Sequence, residues 1–192
     1  MRRILIPSSI AAAMFVATPV LAHNETISLS SSFLSGLLHP LTGFDHLLAM
    51  IAFGIWFSLQ NSKQSYSLPT TLLVMLIAGF GLGVTGLNLP MIEGGILSSL
   101  LVIGLLVATA TKLKAQIALP LTGAFALFHG FAHGAEIGSS LAGLFMIGFV
   151  LSCAVTVMIS SKASLKLQAK MPLVNKFIGL LIAMTGLSLV AG

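Results

Sequence analysis

Charge is scarce in this chain. Only 7% of its residues are Asp, Glu, Lys or Arg, against about a quarter in an ordinary soluble domain. With 57% hydrophobic residues and a mean hydropathy of +1.09, that scarcity excludes a soluble core of this size and marks an integral membrane protein. Thiols are scarcer still. Cys153 is the one cysteine and lies within an apolar run, so a disulfide inside the chain and a thiolate-rich metal centre are both excluded; it reads as a small buried hydrophobe. No nucleotide-binding motif, low-complexity segment or second domain is present. The net charge of +5 sits in short loops rather than on one basic face, which excludes nucleic acid as a partner.

What is present is a succession of apolar runs. At roughly 20 residues per crossing of a bilayer, the chain suits one domain of about six spans. Arg2 and Arg3 precede an apolar segment from Ile4 to Leu21, and Val20 and Ala22 place small residues at the −3 and −1 positions of a cleavage site. This is the layout of a signal peptide over 1–22, with the mature domain over 23–192; an uncleaved first helix is the alternative. Six further runs follow, over 34–59, 68–87, 92–111, 116–136, 138–160 and 172–191. The expected fold is therefore all-α: a polytopic integral membrane protein, a six-helix transmembrane bundle after a cleavable signal peptide.

The charges orient it. With these spans every basic residue falls on one side: Arg2 and Arg3, Lys63, Lys112 and Lys114, then Lys162, Lys166, Lys170 and Lys176. That is the positive-inside pattern, and it puts the mature N-terminus, His23, outside. The acids Glu25, Asp45, Glu93 and Glu136 and the histidines His23, His39, His46, His129 and His133 all fall in the outer half.

Two groups of them enter the apolar runs. His129, His133 and Glu136 stand at i, i+4 and i+7 of the fourth span, on one helical face. Pro40 suits the first turn of the first span and makes His39 a hinge at the helix mouth, with Asp45 and His46 further in. At 1.5 Å per residue, Asp45 and His46 lie roughly 8–9 Å and His129 roughly 10 Å below the outer surface. If the first and fourth spans are neighbours, they face one another in two tiers, His133 and Glu136 near the height of His39. Gly79-x-x-x-Gly83 and Gly130-x-x-x-Gly134-x-x-x-Gly138 are packing motifs, and the second brackets His129 and His133 and is expected to press that face against a neighbour.

Ionisable groups are costly in a membrane interior and mark pathways or sites there. A single histidine in a helix is ordinarily a hydrogen-bonded packing residue, but four of them with two acids at matched depth point to a metal or proton site. Imidazole with carboxylate suits divalent first-row metals. The candidate ligands are His39, Asp45, His46, His129, His133 and Glu136. Glu93 suits the positive end of the third span's dipole, and Met50 suits core or lipid contact. Three readings stay open on the residues alone: a cation permease, an intramembrane zinc-dependent hydrolase with Glu136 as base, and a metal-binding accessory protein that transports nothing.

His39-Pro40-Leu41-x-Gly43-x-Asp45-His46-Leu47-Leu48-Ala49-Met50 and Phe128-His129-Gly130-x-Ala132-His133-Gly134-x-Glu136 resemble the two signatures of the HupE/UreJ family, nickel permeases associated with hydrogenase and urease systems. Pro90-x-x-Glu93-x-x-Ile96-x-x-Ser99 and Pro172-Leu173-Val174 with Gly179 and Gly186 are similar to it as well. The resemblance covers nearly all of the mature chain. It implies uptake of Ni²⁺ or Co²⁺ across the bacterial inner membrane, His and Asp of these motifs as ligands, no cofactor beyond the transported ion, and a link to a hydrogenase or urease maturation system. The chain departs from the family late in the fifth span, where Val157 and Met158 stand in place of a histidine that many relatives carry.

Overall fold

Inside hydrocarbon every backbone N–H and C=O must be satisfied within its own segment, which favours helices wherever an apolar run enters the membrane. The computed structural model describes residues 29–137 and 141–191; the expected signal peptide, His23 and Glu25 lie outside them. The described residues form seven helices and no strand: α1 Leu29–Thr42, α2 Phe44–Leu59, α3 Gln64–Val84, α4 Ile92–Ala108, α5 Ala115–Ile137, α6 Ala142–Lys170 and α7 Val174–Ala191. Four of them, α3, α5, α6 and α7, are long and apolar enough to cross a bilayer, so this is a multi-pass membrane protein. Helix α4, with 17 residues, is apolar but shorter.

The first expected span is not one helix. Its two parts, α1 and α2, are bent by 78° at a break. The break lies at Gly43, whose backbone is extended (φ −83°, ψ 109°), and not at Pro40, which is inside α1. His39 is accordingly a helical residue in the last turn of α1 rather than a hinge. The pre-proline bias against helix is overridden because α1 is clamped on α6: a methyl at Gly36 would collide with the Phe145 carbonyl, and one at Gly148 with the Phe33 carbonyl. The turn closes on His39 itself, whose carbonyl accepts the Thr42 hydroxyl at 2.9 Å and the Gly43 N–H at 3.3 Å.

Helix α6 also exceeds its expected span, running on through Lys162, Lys166 and Lys170. Lys, Leu, Gln and Ala are good helix formers, and the helix stops only at Met171, whose backbone has left the helical region (φ −137°, ψ 83°) ahead of Pro172, as proline disfavours helix in its predecessor.

Glycines set the pairing. Gly79 and Gly83 of α3 lie against the carbonyls of Leu127 and Phe131, while Gly130 and Gly134 of α5 lie against those of Leu76 and Phe80. The two helices run parallel in contact, as the small-residue spacing predicts. Gly104 of α4 and Gly179 and Gly186 of α7 make an antiparallel pair in the same way. Helix α2 fills the middle, with Phe53, Trp56 and Phe57 wholly buried. At its far end the Trp56 indole and the Gln60 amide both donate to the Thr111 carbonyl, at 3.0 and 3.3 Å. Gln60 accepts from the Leu113 N–H, and Gln64 donates to the Leu113 carbonyl, so the turn between α4 and α5 is clasped by α2 and α3.

Candidate metal site

Because Gly130 and Gly134 each follow a histidine by one residue, the helical step of about 100° that turns the glycines onto α3 turns His129 and His133 away from it. They project between α2 and α6. Helix α5 packs chiefly on α3, and α2 chiefly on α6, so the imidazoles occupy the space between the two pairs. The Gly43 break aims the last turn of α1 at the same place.

His39, His133 and Glu136 come together there, with one ligand atom from each lying within 4.8 Å of the others. Glu136 Oε2 is 3.7 Å from His39 Nε2 and 3.7 Å from His133 Nδ1. The expected tiers are not separate, however. The His133 ring lies 4.6 Å from His39 and 4.4 Å from His46, and His46 lies 5.2 Å from His129. The four rings thus form one continuous row, His39, His133, His46, His129. The outer end is open and the rest largely enclosed: the Glu136 side chain is 62% exposed and that of His39 37%, whereas that of His133 is 3% exposed, that of His46, beside the cavity described below, 16%, and His129 is fully buried.

The ring nitrogens are not equivalent. His129 Nδ1 lies 2.8 Å from the Phe125 carbonyl, which can only accept, so Nδ1 carries the proton and Nε2 a lone pair. His46 Nδ1 lies 3.0 Å from Asp45 Oδ1, which by the same reasoning leaves its Nε2 bare; Asp45 acts here as an orienting carboxylate. Nε2 of His46 and of His129, and both ring nitrogens of His133, are buried without a hydrogen-bond partner. Buried polar atoms are rarely left so, because each unmade bond costs about 1–3 kcal/mol. A row of contacting imidazoles with free lone pairs is chemically a chain of nitrogen donors.

Asp45 and His46 also line a cavity of about 510 Å³ with Glu93, Glu136, Ile92 and Ile96. Three carboxylates therefore surround one opening, Glu93 among them. Met50 is buried in the core. Sequence reasoning passed over Phe145 and Phe149 of α6, whose rings lie 5.4 Å from His39 and 4.5 Å from His133. Their i, i+4 spacing was the available signal. They supply an aromatic wall, and no ligand, from the helix that departs from the family pattern; Val157 and Met158 lie further along it.

The family model described as HupE / UreJ protein matches residues 11–189. Protein HupE of Rhizobium leguminosarum bv. viciae is 33% identical over 179 residues, covering 92% of this chain and 94% of that relative. No solved structure matches the chain. The signatures read in the sequence, the match along almost its whole length and the histidine row they build agree: this chain belongs to the HupE/UreJ family.

Proposed function

We propose that this protein is a permease, not an enzyme, that takes up a divalent transition-metal cation, Ni²⁺ or Co²⁺, through the row of imidazoles at the outer end of the bundle. The observation that carries this reading is the set of unpartnered ring nitrogens on His46, His129 and His133, reached from outside past His39 and Glu136. The site residues are His39, Asp45, His46, His129, His133 and Glu136, all as ligands except Asp45, which acts through His46. The bundle crosses the bacterial inner membrane six times after cleavage of residues 1–22, α4 and the bent α1–α2 pair completing the count, with the mature N-terminus in the periplasm and the lysines inside.

Exposed Glu136 meets the hydrated ion first, and its charge offsets part of the cost of removing water. Neutral imidazoles then replace the lost water ligands one at a time along the row. Conduction requires sites weak or numerous enough to let the ion go, and adjacent rings about 4–5 Å apart offer the next ligand before the last is released. The membrane potential drives inward movement at about 2.3 kcal/mol per charge per 100 mV, and twice that for a dication. The ion is cargo; the protein needs no resident cofactor, and delivers it to a hydrogenase or urease maturation system.

The test is metal accumulation in nickel-limited cells expressing the wild type or His133→Ala, with Co²⁺, Zn²⁺ and Mn²⁺ as competitors. The reading expects uptake in the wild type and background in the variant. Metal bound by the purified protein with no uptake in cells would make it the accessory protein instead.

A further inference from the structure

On the opposite half of the molecule, α3 and α6 diverge and leave an apolar groove of about 420 Å³ between them. Its walls are Phe57, Leu72, Val157 and Met158, and four polar groups gather at its end: Ser65, Tyr66, Ser161 and Lys162. It does not stop there. A second apolar cavity of about 300 Å³, lined by Ile77, Val150 and Leu151, shares Ala154 with the first, so the groove continues up the α3–α6 face. The stretch of α3 from Tyr66 to Ile77 rises roughly 16 Å, close to the hydrocarbon depth of one leaflet, about 15 Å.

The polar end leaves its donors free. Helical serines either bond back to a carbonyl one turn earlier, as Ser67 does to Lys63 and Ser160 to Thr156, or leave the hydroxyl free toward the surroundings. Ser65 and Ser161 do not bond back, and neither hydroxyl, nor that of Tyr66, nor the Lys162 ammonium, has a partner among the described residues. Tyr66 is the one tyrosine of the chain and is 80% exposed, in the position aromatic side chains take at headgroup level. Lys166 follows Lys162 by one turn, and Lys63 immediately precedes α3.

We propose that this groove binds an anionic glycerophospholipid of the lysine-bearing leaflet. One acyl chain lies between α3 and α6, and the phosphate is held by the Lys162 ammonium and the hydroxyls of Ser65, Tyr66 and Ser161. The length of the groove fits one chain, and its charge selects the headgroup: a zwitterionic lipid would bring its own ammonium against Lys162 and the neighbouring lysines, whereas phosphatidylglycerol or cardiolipin would not. A clustered basic rim above an apolar groove is the arrangement expected of such a site. The lipid would wedge α6, which carries Phe145 and Phe149, against α3, which carries α5.

The experiment is native mass spectrometry of the full chain released from detergent, with phosphatidylglycerol and phosphatidylcholine of matched acyl chains. The wild type retains phosphatidylglycerol preferentially, by roughly fivefold. Lys162→Gln brings the two lipids to parity, Tyr66→Phe weakens the preference, and Lys170→Gln, further along α6, leaves it intact. Equal retention of the two lipids by the wild type overturns the proposal, as does a preference that survives Lys162→Gln. So does an equal loss in Lys170→Gln, which would mean that charge count alone decides. A dimer that forms without lipid and fails to form in Met158→Lys would show the groove to be covered by a second copy, and also overturns it.

Discussion

His39 Nε2 lies 3.7 Å from Glu136 Oε2, across the gap between the last turn of α1 and the last turn of α5. The two residues are almost a hundred positions apart, and a break in one helix together with a glycine seam on the other brings them together. Neither is deeply buried, and both stand against His133, which is. They form the exposed end of the histidine row, where a hydrated ion can exchange its first water ligands for protein ones.

Glu136→Gln therefore keeps the shape of the entrance and removes its charge. Uptake at low metal concentration should fall by about tenfold or more while the protein inserts and melts much as the wild type does, because the side chain is 62% exposed and its contacts with the His39 and His133 rings, at 3.7 Å, are too long for hydrogen bonds. Uptake as a function of external Ni²⁺ checks this, and the loss should shrink as the concentration rises.

Asp45→Asn addresses orientation. The carboxylate holds the His46 N–H at 3.0 Å and so keeps the Nε2 lone pair turned into the row. Losing such a partner typically costs 10–100-fold in metal affinity, and calorimetric titration of the purified variant should show a loss in that range with the secondary structure unchanged.

Gly134→Ala tests the seam that aims the histidines. Its new methyl would meet the Phe80 carbonyl, and overpacking of this kind costs about 1–3 kcal/mol. The thermal transition should drop, and uptake should drop with it. Gly81→Ala is the control, since nothing lies near a methyl there, and it should match the wild type in both.

Gln60→Ala removes the clasp on the turn between α4 and α5, leaving the Leu113 N–H without its acceptor and the Thr111 carbonyl with the Trp56 indole as its remaining side-chain donor. A cost of about 1–3 kcal/mol follows for a buried group left without its bond. The site is at the other end of α2, so metal affinity at a temperature where the variant is folded should be unchanged.

Much of the site was legible because its signals are local. The i, i+4, i+7 spacing on α5 fixes His129, His133 and Glu136 to one face whatever surrounds it, and the Gly-x-x-x-Gly repeats marked α3 and α5 for close packing without saying that they pack on each other. Depth counting put His46 level with His129, and their rings do meet. Where the reading failed, the deciding interaction was between distant segments. Pro40 is a local reason to break a helix, but the contact of Gly36 with Phe145 holds α1 together past it, and the bend falls at Gly43 instead. The separation into tiers failed for the same reason: the tilt of α1 against α2 lets His133 touch both His39 and His46, and no spacing within either segment encodes that tilt. The aromatic wall of Phe145 and Phe149 belongs to the outer half of α6, whose lysines all lie at its other end, so no histidine or acid drew notice to it.

The most direct test of the central claim is ion flux into liposomes reconstituted with the purified protein, followed with an entrapped metal-sensitive dye under an inward-negative potential. The account predicts Ni²⁺ or Co²⁺ entry that saturates with concentration, grows with the potential and is abolished in His133→Ala, whose imidazole touches both halves of the row. Wild-type liposomes no more permeable than empty ones, or a His133→Ala flux equal to the wild type, would contradict it.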